Sequence, residues 1–232
     1  MRRFRRALGG LTCAAVLALP GAATALSLLN FNLAPNSGSL SHLAAAGPLD
    51  GSGLEIASIH SLSSPLNSGA TLACVGCKLT FATGNRLSFS SAGGVETWSF
   101  DQAGSSLTIK GTIPSIGIAA LTTLLDATFA EDVVVTRFEF TSFTVASGVH
   151  AGSVDLGLAN YFGEIHPALE SGGMSIQSTV PSVGAGGTFT SSTTLGGIAT
   201  ANVVPEPETA FLLALGLIGL GFAGRADRLQ PK

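Results

Sequence analysis

Cys74-Val75-Gly76-Cys77 is the spacing in this 232-residue chain that most directly suggests chemistry. A Cys-x-x-Cys pair can exchange disulfides, bind a metal or staple a turn. Redox use requires a βαβ setting with the first cysteine at a helix start, and here both flanks read as strand. A zinc site requires four ligands, but the nearest histidine is His60 and there is no second cysteine pair. Residues at the ends of a four-residue turn bring their Cα atoms within about 7 Å, which a disulfide spans. The expectation is a turn-stapling Cys74–Cys77 disulfide, with redox and metal use as the alternatives.

A second polar group, His150, Asp155, Glu164 and His166, lies between Val149 and Pro167. It suggests a metal or acid/base site. Asp155 falls on the outward phase of an expected strand, His166 sits before a proline, and no zinc-protease helix motif is present. Ordinary surface polarity is therefore expected. No Gly-x-Ser-x-Gly elbow anchors a hydrolase triad. The side chains suited to sugar stacking are Trp98 and Tyr161, and Trp98 shares its phase with Phe100, as core residues do. No catalytic, cofactor-binding or metal-binding residue is assigned, and the chain is expected not to be an enzyme.

The elements that must position these residues read as strands. Cys77, Leu79 and Phe81 alternate with Lys78, Thr80 and Ala82, and Gly84-Asn85 then reads as a turn. Leu87 and Phe89 are expected to face inward. Gly93-Gly94 turns again, and Trp98 and Phe100 form the next inward pair. Leu107, Ile109, Gly111 and Ile113 alternate with Thr108, Lys110 and Thr112 up to Pro114. Leu125, Ala127 and Phe129 continue the pattern. Val133–Val145 reads as the longest strand, with Val134, Phe138 and Phe140 on one face and Arg137 and Glu139 on the other. Phe143 is out of phase, which predicts a bulge or strand break near Ser142. Val154, Leu156 and Leu158 read as a further strand, as do Met174 and Ile176. Pro35–Gly53 reads as soft connecting chain, and residues 186–203 as a Gly/Ser/Thr-rich linker.

Composition narrows the function classes. The whole chain carries a formal charge of −3. Between Leu26 and Val204 stand four basic and eleven acidic side chains, a formal −7. An acidic body with no basic stripe argues against nucleic acid as a partner. No Asp-x-Asp-x-Asp-Gly calcium loop is present. Thirteen phenylalanines and abundant Leu, Val and Ile argue against disorder despite the glycine and serine content.

Both ends carry sorting chemistry. Arg2, Arg3, Arg5 and Arg6 precede the apolar run Ala7–Leu19, and Ala23-Thr24-Ala25 fits cleavage between Ala25 and Leu26. At about 20 residues for a bilayer span, the run is too short for an anchor. Near the other end, Val204-Pro205-Glu206-Pro207 leads into the apolar segment Ala210–Gly224 and then Arg225 and Arg228. Two prolines around a glutamate make a stiff extended handle. Gly216, Gly219 and Gly221 weaken the following helix by roughly 1 kcal/mol each relative to alanine. The basic flank stays cytoplasmic.

This tail resembles the PEP-CTERM sorting signal of Gram-negative bacteria that make exopolysaccharide. The resemblance covers Val204 to the C-terminus and rests on Val204, Pro205, Glu206, Pro207, the short span and the basic end. It implies recognition and cleavage by exosortase, a membrane-embedded cysteine protease-transpeptidase. The expected organisation is a signal peptide at 1–25, an all-β, jelly-roll-like β-sandwich body at 26–185, a linker at 186–203 and a sorting signal at 204–232 with a short membrane segment at 210–224. An N-terminal signal helix and a short C-terminal hydrophobic helix flank the body. The expected itinerary runs through the Sec translocon to an inner-membrane-tethered precursor, held transiently by its C-terminal segment, and then to the cell surface or beyond. Oxidising surroundings there favour the disulfide. The family context implies a structural or adhesive role in an exopolysaccharide or biofilm matrix, with exopolysaccharide as a candidate partner. A carbohydrate-binding module is the alternative, and a secreted hydrolase the weakest reading.

Overall fold

The computed structural model describes residues 26–138, 142–147, 150–163, 168–169, 171–179, 183–191 and 193–203. The expected signal helix, the C-terminal hydrophobic helix and the sorting signal lie outside the described residues.

Alternating apolar and polar side chains give half-buried strands. In chain order these are β1 (Leu26–Leu33), β2 (Ser39–His42), β3 (Pro48–Ser61), β4 (Thr71–Ala73), β5 (Val75–Ala92), β6 (Val95–Phe100), β7 (Ser106–Ile113), β8 (Ile118–Phe129), β9 (Val133–Phe138), β10 (Ser142–Ser147), β11 (His150–Val154), β12 (Ala168–Leu169), β13 (Ser171–Thr179), β14 (Phe189–Thr190) and β15 (Thr193–Val203). One helix, α1 (Leu156–Phe162), follows β11. The described body is thus all-β with a single short α-helix and two 3-10 turns.

The strand pairs are antiparallel and fall into two runs. One is β5-β6-β9-β10-β13-β15-β1-β3, the other β12-β11-β8-β7-β5-β3-β2-β14. The long strands β3 and β5 belong to both. The first half of β3 pairs with β5, and residues Ile56–Ser61 pair with β1. Residues Val75–Ala82 of β5 pair with β7, and Arg86–Ala92 pair with β6. Gly84-Asn85, expected as a turn, is therefore the point where one continuous strand changes neighbours. A Cβ on Gly84 would lie 2.5 Å from the Ala103 carbonyl oxygen, so glycine here serves close backbone approach.

The core follows the period of two across β5 to β8. Cys77, Leu79, Phe81, Trp98, Phe100, Leu107, Ile109, Ile113, Leu125 and Phe129 are all buried. Met174 and Ile176 of β13 are buried as well. The Gly93-Gly94 turn is present, with both glycines at positive φ between β5 and β6.

Five expectations need correction. Leu87 is 57% exposed, not inward. Val133–Val145 is not one strand: β9 and β10 pair antiparallel with Phe138 opposite Ser142, so the break reverses the chain. On β9 the buried face is Val133, Val135 and Arg137, and Val134 and Phe138 point outward. The alternation of Val154, Leu156 and Leu158 ends in α1, because Asp155 accepts a hydrogen bond from the Leu158 N–H at 3.0 Å and Gly163 closes the helix at φ 86. That is an N-cap and a left-handed C-terminal glycine, and a cap fixes a helix where apolar alternation alone suggests a strand. Finally, the expected soft stretch and the expected linker both hold strands. Pro35–Gly53 includes β2 and the start of β3, and the linker includes β14 and β15, the latter paired on both sides by β1 and β13.

Candidate functional site

The first and last described strands are neighbours. In β1 and β15, Leu26 stands opposite Val203 and Leu33 opposite Gly197. On its other side β15 pairs with β13 from Ser171–Asn202 to Thr179–Thr193. The residue after the expected signal cleavage and the residue before the expected sorting motif are thus cross-strand partners. Val204, Pro205, Glu206, Pro207, Ala25, Arg225 and Arg228 lie outside the described residues, and Leu26 begins β1.

Cys74 and Cys77 stand at disulfide-bonding distance, with Cα atoms 5.6 Å apart. The separation fits the expected four-residue turn, and the same residues form a bulge in β5. β4 and β5 run along the same side of β3, with Ala73 opposite Ser58 and Lys78 opposite Glu55. Between them Val75 pairs with Thr112 and Lys78 with Lys110, so Gly76 and Cys77 together oppose Gly111. Gly76 takes φ +61, where a side chain is strained. A Cβ on Gly111 would fall 2.0 Å from the Cys77 sulfur, so this glycine makes room for the cysteine pair.

The polar group around residues 149–167 does not assemble into one described site. Asp155 caps α1. The backbone of His150 lies in β11, opposite Phe129, and Glu164 and His166 lie outside the described residues. Among the described residues no three His, Cys, Asp or Glu side chains cluster in a metal-holding arrangement. Trp98 is buried, and its Nε1–H donates to the Gly187 carbonyl at 2.7 Å. Tyr161 is partly buried on α1, edge-on to Phe162. Trp98 therefore offers no open stacking face.

Sequence reasoning missed two buried polar arrangements. His42 packs edge-on to Phe100 and near Phe189. Its Nδ1–H donates to the Pro48 carbonyl at 3.0 Å, leaving Nε2 to face the Arg86 guanidinium at 3.5 Å. Burial pushes the imidazole below its ordinary value; the Pro48 carbonyl opposes this, Arg86 adds to it, and Asp50 opposes it more weakly. Arg86 also donates to the Gly186 carbonyl and lies over the Phe89 ring. On the neighbouring strands, Arg137 donates to Glu96 at 2.8 Å, with both side chains at most 10% exposed. The only available signal for His42 was its phase, two residues after buried Leu40. Arg137 gave none, because a charge at a strand position normally reads as outward.

Residues 203–228 match the family model of the PEP-CTERM protein-sorting motif. The chain carries a PEP-CTERM sorting motif. The match begins at Val203, the last residue of β15. The motif implies an exported, membrane-passing precursor processed by exosortase and sorted to the cell surface. No match was found among curated proteins or among solved structures.

Proposed function

We propose that this PEP-CTERM protein is a non-catalytic constituent of an extracellular exopolysaccharide or biofilm matrix, with a structural or adhesive role. In this reading the Sec translocon exports it, cleavage falls between Ala25 and Leu26, and Arg225 and Arg228 hold the tail in the cytoplasm until exosortase cuts at Val204–Pro207. The body is a two-layer, jelly-roll-like sandwich whose layers share β3 and β5, and the cysteine pair is oxidised outside the cytoplasm.

The observation that carries this reading is the position of the motif at the very end of β15. Cleavage there removes the tail and leaves every described strand intact, as a releasable matrix component requires. The scarcity of charge, 11% of residues, and the serine- and threonine-rich outward faces suit a hydrated polymer network. The test is fractionation of cells with and without exosortase. The full chain should reach the surface or matrix in the first and stay membrane-bound in the second, and the Pro205→Ala/Pro207→Ala variant should stay membrane-bound in both. Equal release in all four cases would overturn the reading.

A further inference from the structure

We propose that the depression around Lys78 and Lys110 is a binding site for the carboxylate-bearing residues of an acidic saccharide. Of the four cations in the body, Arg137 is consumed by Glu96, and Arg86 by Gly186 and Phe89. The other two, Lys78 and Lys110, are directly opposite each other on β5 and β7. Like charges in direct cross-strand register repel. A body of formal charge −7 thus sets its two remaining lysines side by side, with Glu55 as the other cross-strand neighbour of Lys78.

The surroundings say what kind of anion fits. Two residues along the same face, Thr80 stands opposite Thr108, and Ser106 follows on β7. With Gly76 from the cysteine bulge and Leu121, these residues line a depression of about 380 Å³, within the size range of small-molecule sites. Leu121 is 73% exposed and holds φ 55, a left-handed conformation costly for a leucine. Its N–H donates to the Thr112 hydroxyl at 3.3 Å, which fixes the residue at the pocket's edge. Two ammonium groups, three hydroxyls and one apolar wall match a uronic acid: a carboxylate, ring hydroxyls and a C–H face. Two acids adjoin the depression without lining it: Glu55 is the direct cross-strand neighbour of Lys78 on β3, and Asp126 that of Thr108 on β8. They would disfavour an anion centred anywhere but between the lysines.

Only the choice of a polymer as ligand rests on the matrix reading; the site itself does not. The experiment measures binding of oligogalacturonate, monomeric galacturonate, inorganic phosphate and neutral dextran to the full-length protein in detergent. Oligogalacturonate binds and dextran does not. Lys78→Gln and Lys110→Gln each weaken binding about tenfold, the loss of one charge-assisted contact, and the double variant abolishes it. Both lysines are exposed, so the variants keep the parent melting temperature. No binding, equal binding of dextran, unchanged affinity in the double variant, or phosphate competing as well as galacturonate would overturn the proposal. The lysine variants are exported and trimmed like the parent. A sorting failure would therefore count against the matrix reading and leave the affinity result standing.

Discussion

Glu96 and Arg137 face each other across β6 and β9 at 2.8 Å, nearly out of reach of water. Removing one partner strands a buried charge, which costs more than the pair itself contributes. Glu96→Ala should therefore lose about 3 kcal/mol in denaturant unfolding. Glu96→Leu/Arg137→Met, which removes both charges, should lose clearly less. Equal losses would mean the pair is not acting as a unit. His42 makes a pH-dependent contribution. Its folded-state value lies below the ordinary 6.5, so the unfolded chain binds the extra proton first. Its stabilising contribution is complete above pH 6.5 and declines as the pH falls from there through the folded-state value. Urea unfolding at pH 7.5 and pH 5 should show the wild type losing stability, and His42→Gln should lose less over the same interval. An identical slope in the variant would assign the pH dependence to other groups.

Among the elements, β5 to β8 were the most legible in sequence, because their large apolar residues, such as Leu79 and Phe81, Trp98 and Phe100, Leu107 and Ile109, stand at alternate positions on one buried face. Where a competing local device acted, alternation misled. At Asp155 the capping carboxylate and Gly163 define a helix seven residues long, and its buried residues Leu158, Ala159 and Phe162 follow helical spacing. Asp155→Ala removes that cap and should cost about 1 kcal/mol. Asp155→Asn keeps an acceptor and should cost less; thermal melts of the two variants check the order. β15 was hidden for a different reason. Its core residues are Ala199 and Ala201, both fully buried but too small to stand out among glycines and threonines. The ladders to β1 and β13 on both sides make it a strand, and long-range pairing leaves no mark in local composition. The cysteine pair was legible as a proximity, but its place in a bulge was not, because β4 and β5 share the same neighbour only in the folded chain.

At the scale of the molecule, the first and last strands are partners, with Leu26 opposite Val203. The points where the expected leader and the sorting tail join the body are therefore adjacent, and every described strand lies between them. The sorting signal was readable in the sequence because Pro-Glu-Pro, apolar span and basic end are local features. What it is attached to was not, since the expected linker is a central strand. Tail removal should consequently leave stability unchanged, whereas a truncation that takes Ala199–Val203 with it should unfold the body. The most direct test of the account is intact-mass and terminal-peptide mass spectrometry of the protein recovered outside cells with an active exosortase. The account predicts a chain starting at Leu26 and ending within Val204–Pro207, with β15 retained. Recovery of the same protein with Arg225 and Lys232 still attached would contradict it.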